Sequence, residues 1–480
     1  MGKMSNFRPF LGPIRVSGML RIMLGVVLSV GALRAIDAAE RPHIILIMVD
    51  DLGYEGVSAY GSTSYQTPTL DGLAKQGVLF NHCYSTPICT PSRVQIMTGK
   101  YNFRNYIKFG YLDPKQKTFA NVLKQAGYQT AIAGKWQLGG DSSTVHGFGF
   151  ETYSLWHLNG RDSRYWEPRI ETNGQLRKDV AKRFGPDVMC DFVVDTIQNR
   201  KEKPLFIYWP MCSPHWPFVP TPDSPMGGSR ERLGKYDGKQ GGTEYFDDMV
   251  NYLDKLVGRV VKTLDNEGIR DNTLILFTCD NGCATNIRSV MKDREIVGGK
   301  ASLPDAGTHV SLVANWPSKM KGGRVVDELV DFTDFLPTLA DAAQTELPVK
   351  SKIDGQSFLP LLLGEKYQPR EWIFCHYIRN GTKKKPAKAT EVQKVLKQQG
   401  LAKEKKLMGR FARNQTYKLY EDGRFYNVGN DVLEKKPLAA NDDTTEQAKI
   451  RKMLQGVHDS MPAWQPFKLT RKPMEAGKND

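Results

Sequence analysis

The chain has 480 residues, 40% of them hydrophobic, which supplies one large core or two unequal ones and excludes a disordered polymer. The formal net charge of +15 is uneven: residues 1–40 hold 5 Lys and Arg against 2 Asp and Glu, residues 366–480 hold 25 against 13, and the 325 residues between are neutral. The basic end has few aromatics to stack on bases, which argues against nucleic acid and leaves two readings, a polyanionic partner or a solvated lysine-rich insertion.

In chain order, Lys3, Arg8, Arg15 and Arg21 precede an apolar run at 22–33, and small residues follow at 35–39. A charged, apolar, small-residue order is that of a secretory signal peptide over 1–39, and export to a periplasm or beyond is the expectation. The run falls short of the roughly 20 residues a membrane helix needs, so no stable membrane insertion is expected; an uncleaved anchor is the alternative. From 40 to 365 strand-like and helix-like stretches alternate. Apolar runs at 43–49, 129–133, 205–209, 273–278 and 310–315 read as buried strands, and 70–76, 118–126, 187–199 and 245–267 read as helices. The alternation predicts an α/β fold, a large mostly parallel or mixed sheet with helices on both faces. Asp50-Asp51, Gly134-Lys135, His215 and Asp280-Asn281 each follow a predicted strand. Ligands of open α/β sheets bind beyond the carboxyl ends of strands, so these residues are expected to share one pocket.

Residues 366–480 read as a smaller domain of antiparallel strands. Short strands are expected at 376–379, 416–420 and 424–427, with a turn at Asp422-Gly423 and a basic helical insertion near 383–408. The seven cysteines, Cys83, Cys89, Cys190, Cys212, Cys279, Cys283 and Cys375, include no Cys-x-x-Cys pair to suggest zinc. Outside the cytoplasm the six other than Cys89 permit disulfides; buried free thiols are the preferred reading in a chain this long.

The stretch Cys89-Thr90-Pro91-Ser92-Arg93 is the richest in chemistry. Pro91 suits the first turn of a helix over 92–98, with Gly99 as its stop. Cys89 then sits at the amino end, where free N–H groups and the dipole favour an anion, with Arg93 one turn away. A thiol there would itself be reactive, so a thiol enzyme is one reading. Asp50-Asp51 and Asp280-Asn281 offer hard oxygen donors from two strand ends. Three carboxylates brought together repel unless a cation joins them, and oxygen-only ligation suits Ca2+ or, less well, Mg2+.

The Cys-x-Pro-Ser-Arg core is followed by Met97-Thr98-Gly99-Lys100 and preceded by Asp50-Asp51. With Gly134-Lys135-Trp136, Pro214-His215-Trp216-Pro217 and Asp280-Asn281-Gly282, it resembles the type I, formylglycine-dependent sulfatases. These are arylsulfatase-like members of the alkaline-phosphatase superfamily, and the resemblance covers 42–365 strongly and the tail weakly. It implies that a formylglycine-generating maturation enzyme oxidises Cys89, and that the hydrated aldehyde is a geminal diol nucleophile. It implies calcium at Asp50, Asp51, Asp280 and Asn281, with the formylglycine at Cys89 completing the shell and the metal lowering the diol pKa. Lys135, His215 and Lys300 become the residues that grip the sulfate, with Arg93 beside the nucleophile and His215 protonating the leaving alcohol. Near Lys300 the family continues Glu-Gly-Gly and Arg where this chain has Asp305-Ala306-Gly307 and His309.

One departure concerns the chemistry itself. The family block Gly-Lys-Trp-His-Leu-Gly is present with Gln137 in the histidine's place. That histidine serves as base when the sulfated intermediate collapses; a glutamine hydrogen-bonds but exchanges no proton. Either another base does this work, solvent hydroxide or a histidine such as His309, or collapse is slow, or hydrolase activity is lost. For specificity, His157, Arg161, Arg164, Tyr165 and Trp166 form a polar-aromatic cluster, either a substrate pocket suited to an anionic sugar or an ordinary surface loop. The expectation is an exported, calcium-dependent sulfatase acting on a carbohydrate or aryl sulfate ester. The alternatives are a phosphonate or phosphate-ester hydrolase of the same superfamily and a non-catalytic binder of sulfated glycans.

Overall fold

A computed structural model describes residues 2, 41–158, 160, 162–224, 242–348, 351–378 and 408–462. The signal-like leader apart from residue 2, Arg161 and the basic insertion up to residue 407 lie outside the described residues. Ten strands form one sheet in the order Arg324–Val326, Val78–Phe80, Leu312–Asn315, Thr273–Cys279, His43–Val49, Leu205–Pro210, Gln129–Lys135, Thr152–Trp156, Ile170–Thr172, Gln175–Leu176. The central strands, Thr273–Cys279 through Thr152–Trp156, run parallel, and Leu312–Asn315 and Ile170–Thr172 flank them antiparallel.

Burial explains the parallel centre. In His43–Val49 every residue from Ile44 on is buried, so both faces of the pleat are covered. A continuous Ile, Leu, Met, Val run satisfies that condition and an alternating one does not. Thr273–Cys279 and Leu205–Pro210 beside it are buried throughout. Helix Phe246–Asn266 buries Phe246, Met249, Val250, Leu253, Leu256, Val257, Val260 and Leu264, the three- and four-residue spacing of one apolar face. Helix Phe119–Gln125 begins at a reciprocal cap between Thr118 and Asn121.

The run at 310–315 is not one strand. His309–Val310 pairs antiparallel with Cys83–Tyr84 in a three-stranded sheet, and Leu312–Asn315 turns into the main one. The switch falls at Ser311, where the Leu312 N–H donates to the Tyr60 hydroxyl at 2.8 Å instead of to a strand. Toward the carboxyl end, Ile373–Ile378, Met408–Arg413, Tyr417–Tyr420 and Phe425–Asn427 form an antiparallel four-stranded sheet. Helix Thr445–Ser460 packs Leu454 and Val457 onto Phe374, Ala412, Leu419 and Phe425 of that sheet. Strand Met408–Arg413 and this helix add to what the sequence predicted. All seven cysteines are buried free thiols. No helix among the described residues is long and apolar enough to cross a membrane.

Candidate active site

The carboxyl ends of the central strands meet at one edge. Asp50 and Asp51 follow His43–Val49, Asp280 and Asn281 follow Thr273–Cys279, Lys135 closes Gln129–Lys135, and His215 lies in the loop after Leu205–Pro210. Two backbone bonds set the edge: Asp280 N–H donates to Val49 O at 2.9 Å and Asp50 N–H to Ser213 O at 3.0 Å. Gly134, at φ +130°, is required here, because a Cβ would lie 1.9 Å from the Pro210 carbonyl oxygen. Its absence lets Gln129–Lys135 close on its neighbour and deliver Lys135.

Helix Cys89–Thr98 starts at Cys89, after an extended Ile88, and stops at left-handed Gly99. It begins three residues earlier than 92–98 because the Ser92 N–H closes the first turn onto Ile88 O at 3.3 Å, while Ser92 Oγ donates to Thr86 O at 2.7 Å. Pro91 falls inside that turn, where its missing N–H costs nothing. Cys89 is 1% exposed, and its sulfur clusters with carboxylate oxygens of Asp50 and Asp280, all within 4.8 Å of one another. Burial pushes the thiol up, against the pull of Lys135 and Lys300. The thiolate that a cysteine enzyme needs is therefore disfavoured.

Around Cys89 lies a tight lattice of charge. Lys135 Nζ meets Asp50 Oδ1 and Oδ2 at 2.8 and 2.7 Å, and Arg164 reaches Asp50 Oδ2 at 3.1 Å. Arg93 donates to Asp280 Oδ2 from Nη2 at 2.8 Å and Nε at 3.2 Å, with Asp50 Oδ1 at 3.7 Å from Nη2. Lys300 Nζ lies 2.5 Å and His215 Nε2 3.5 Å from Asp51 Oδ2. Asp51 itself is held at φ +66° with its N–H on Asp280 Oδ1 at 3.1 Å. Burial raises Asp50, but the fixed charges of Lys135, Arg93 and Arg164 together hold it well below the usual carboxylate range. Burial and then the Asp50 charge push Asp280 up to about 7, against Arg93 and Lys135. Asp280 is thus the carboxylate still short of positive charge.

The donor set fits a hard divalent cation. Asn281 donates to Asp51 Oδ1 at 2.9 Å and to Gly282 O, while its buried Oδ1 has no hydrogen-bond partner among the described residues. An orphaned amide oxygen beside three carboxylates is suited to coordination.

His215 has one tautomer favoured by its neighbour. Nδ1 bonds the Trp216 carbonyl, which only accepts, so Nδ1 carries the proton and Nε2 is bare in the neutral ring. Burial, then Arg164 and Lys300, hold its pKa well below the usual histidine value. Tyr165 anchors the same loop, its one hydroxyl proton shared between Cys212 O at 3.0 Å and His215 O at 2.5 Å.

The polar-aromatic cluster therefore divides. Arg164 stands in the site with its guanidinium carbon 4.0 Å from the Trp156 ring centroid. His157, at φ +68°, lies against Trp156 with ring centroids 4.9 Å apart. Trp166 is engaged elsewhere, its indole on Pro220 O at 2.8 Å and its ring on Phe184. Arg161 is outside the described residues. Gln137 follows Lys135 closely at φ +54°, and its buried Oε1 has no hydrogen-bond partner among the described residues. His309 is not a spare base at this site: it stacks between Tyr54 and Tyr84 at 4.0 and 4.8 Å and bonds Asn81 O through Nε2 at 2.8 Å.

Comparison with known proteins agrees with this geometry. Residues 42–345 match the family model described as Sulfatase, and 300–456 match the one described as N-sulphoglucosamine sulphohydrolase, C-terminal. The chain is 29% identical to N-acetylgalactosamine-6-O-sulfatase of Bacteroides thetaiotaomicron, across 76% of this chain and 86% of the relative. It is 30% identical to arylsulfatase A of Bos taurus, across 71% of each. A solved structure of a protein in complex with its substrate D-glucosamine-2-N,6-O-disulfate superimposes with a TM-score of 0.66 at 22% identity, covering 87% of this chain and 97% of that one. The chain belongs to the sulfatase family, the sulfuric ester hydrolases built on an alkaline-phosphatase-like fold.

Proposed function

We propose that this protein hydrolyses a carbohydrate sulfate ester, with a formylglycine made from Cys89 as nucleophile and Ca2+ held by Asp50, Asp51, Asp280 and Asn281. The observation that carries the reading is the clustering of the Cys89 sulfur with Asp50 and Asp280 at the foot of a buried helix start. When present, the hydrated formylglycine supplies a geminal diol oxygen and the cation lowers its pKa. The orphaned Gln137 Oε1 is a buried acceptor in want of such a hydroxyl donor. The carbohydrate preference draws on the relative named for N-acetylgalactosamine-6-sulfate and on Arg164, which sits half on Trp156 and half on Asp50.

The remaining residues have separable roles. Lys135 and Lys300 present fixed ammonium groups to the sulfate oxygens, where they offset charge that builds in the transition state. His215 is neutral in the free protein; an arriving anion between it and Lys300 favours its protonated form, and Nε2 then gives that proton to the leaving alcohol oxygen. Tyr165 keeps that imidazole aimed. We further propose that 1–39 is a signal removed on export to the periplasm or medium, and that a smaller domain begins near 366.

The test is release of inorganic sulfate from a panel of sulfated mono- and oligosaccharides, N-acetylgalactosamine-6-sulfate included, by protein co-produced with a formylglycine-generating enzyme. Mass spectrometry of the peptide containing Cys89 is run alongside. Sulfate release by protein carrying the aldehyde supports the reading. Preferred turnover of phosphonate esters, or tight saccharide binding with an unmodified thiol and no release, overturns it.

A further inference from the structure

We propose that Arg413 and Lys418, two buried cations of the antiparallel C-terminal sheet, are positioning residues for Lys300, acting through the loop 301–305. The inference rests on the reading that Lys300 grips the sulfate.

The loop that carries Lys300 is held at two kinds of anchor. Its near side is tied to two loops beside the site: Lys300 N–H donates to Cys283 O at 3.0 Å, and Ala301 N–H to Pro87 O at 2.7 Å, two residues before Cys89. Ala301 adopts φ +67°, a left-handed conformation that a residue with a Cβ keeps only when its surroundings enforce it. The turn around it is closed locally, with Ser302 N–H on Gly299 O at 2.9 Å, and the far side sets where that turn sits. Lys418 Nζ donates to Leu303 O at 2.7 Å. Arg413 Nη1 donates to Asp305 Oδ1 at 2.6 Å, and Lys418 Nζ lies 3.4 Å from the same oxygen. The Leu303 side chain lies against Gly409, where an added Cβ would come within 2.5 Å of Leu303 Cδ1. Four contacts, two at Leu303 and two at Asp305, thus come from the strands Met408–Arg413 and Tyr417–Tyr420.

The same wall touches the nucleophile. Ile88, Cys89 and Tyr84 share one buried cluster with Cys375, Phe411, Tyr420 and Tyr426 of the C-terminal sheet, and Ala301 and Leu303 pack onto it. Arg413 lies over the Tyr84 ring with its guanidinium carbon 4.1 Å from the centroid.

The two cations are 1% and 0% exposed, and Glu434 Oε1 takes a third bond from Lys418 at 2.7 Å. Apolar residues of similar volume would glue two elements together as well, so burial of charge is not needed for adhesion. Directional bonds to one carbonyl and one carboxylate do what apolar packing does not: they set the position and the angle of the loop. Misplacing a catalytic group by about 1 Å can cost about 100-fold in rate.

The experiment is a double-mutant cycle on protein co-produced with a formylglycine-generating enzyme, with nitrophenyl sulfate as substrate. The variants are Lys300→Ala, the charge-balanced Lys418→Met/Glu434→Gln, and their combination. The paired variant should lose about 10- to 100-fold in kcat/KM while retaining a cooperative melting transition. On the Lys300→Ala background the same pair should cost less than about twofold, because the group it positions is gone. Equal losses on both backgrounds, or wild-type activity of the paired variant, overturn the inference while leaving Lys300 in the site. Wild-type activity of Lys300→Ala overturns the reading of Lys300 itself. Should the paired variant fail to fold, Arg413→Lys, which keeps the charge but loses the fork, is put through the same cycle with the same criteria.

Discussion

The Lys135 ammonium lies 2.8 and 2.7 Å from the two oxygens of Asp50, and both side chains are wholly buried. Removing one partner of a buried pair costs about 3–5 kcal/mol when nothing takes its place. Here Arg164 and Arg93 remain near Asp50, so Lys135→Met belongs at or below the lower end of that range. Added Ca2+ should restore part of the melting temperature, and sulfate release should fall by about 100-fold or more even with Ca2+ present. Undiminished turnover would remove Lys135 from the sulfate-gripping set.

Asn281 offers a cleaner probe of the metal than the carboxylates do, because its replacement changes no charge. Asn281→Ala removes the orphaned Oδ1 and should weaken Ca2+ binding measured by titration calorimetry. Chelation of the wild-type protein should lower its melting temperature and abolish activity together, since a ligand of the native state alone stabilises it. Equal Ca2+ affinity in variant and wild type would place the ion elsewhere.

Gln137 should orient a hydroxyl without exchanging its proton. Gln137→Ala should slow turnover, and Gln137→His should introduce a new ionisation near neutrality in the pH–rate profile. The change should fall on the step after the alcohol leaves, seen as an altered burst relative to steady state. Unchanged rates, burst and pH profile in both variants would mean that this side chain does not face the nucleophile.

Glu55 makes stability fall with pH. It is 1% exposed, and burial lifts its carboxyl to about 7, with its own backbone N–H and the Cys283 thiol pulling back. The folded value lies above the unfolded value of 4.5, so below 4.5 both states are protonated and the group costs nothing. Between 4.5 and about 7 only the unfolded state ionises, so stability should decline across that window, by a total on the order of 3 kcal/mol, and level off above it. Glu55→Gln should flatten this decline, read as denaturation midpoints between about pH 5 and 8. A variant with the wild-type slope would assign the pH dependence to other groups.

Much of this architecture was legible because the central strands are continuous apolar runs that stop abruptly at polar pairs. Val49 to Asp50 and Cys279 to Asp280 mark strand ends without any knowledge of strand order. The break at Ser311 was not legible, since Val310 and Leu312 are equally apolar and the difference lies in a hydroxyl 252 residues away in the chain, that of Tyr60. That switch also sends His309 into its stack with Tyr54 and Tyr84. Lys418 was hidden by its type: a lysine in a short strand reads as solvent-facing, and only Asp305 and Glu434, brought from elsewhere, make its burial tolerable. Glu55 carried a weak signal, an acid in the Leu52–Gly56 stretch of aromatic, aliphatic and glycine residues that directly follows the acid pair. The link from Arg164 to Asp50 had none, because loop reach is not a property of spacing.

Four cations, Arg93, Lys135, Arg164 and Lys300, surround three carboxylates in this pocket, and one of those carboxylates, Asp280, is pushed toward neutrality. The surplus of positive charge bears on the exit as well as on the entry. A sulfate ester arrives with one negative charge, whereas the inorganic sulfate left behind carries two. On the proposed assignment of these residues, a field that gathers substrate should hold product harder, and departure of the dianion should govern turnover once chemistry is fast. Competition by free sulfate, relieved as salt rises and screens the pocket mouth, is the expected kinetic cost of building the floor from lysine and arginine.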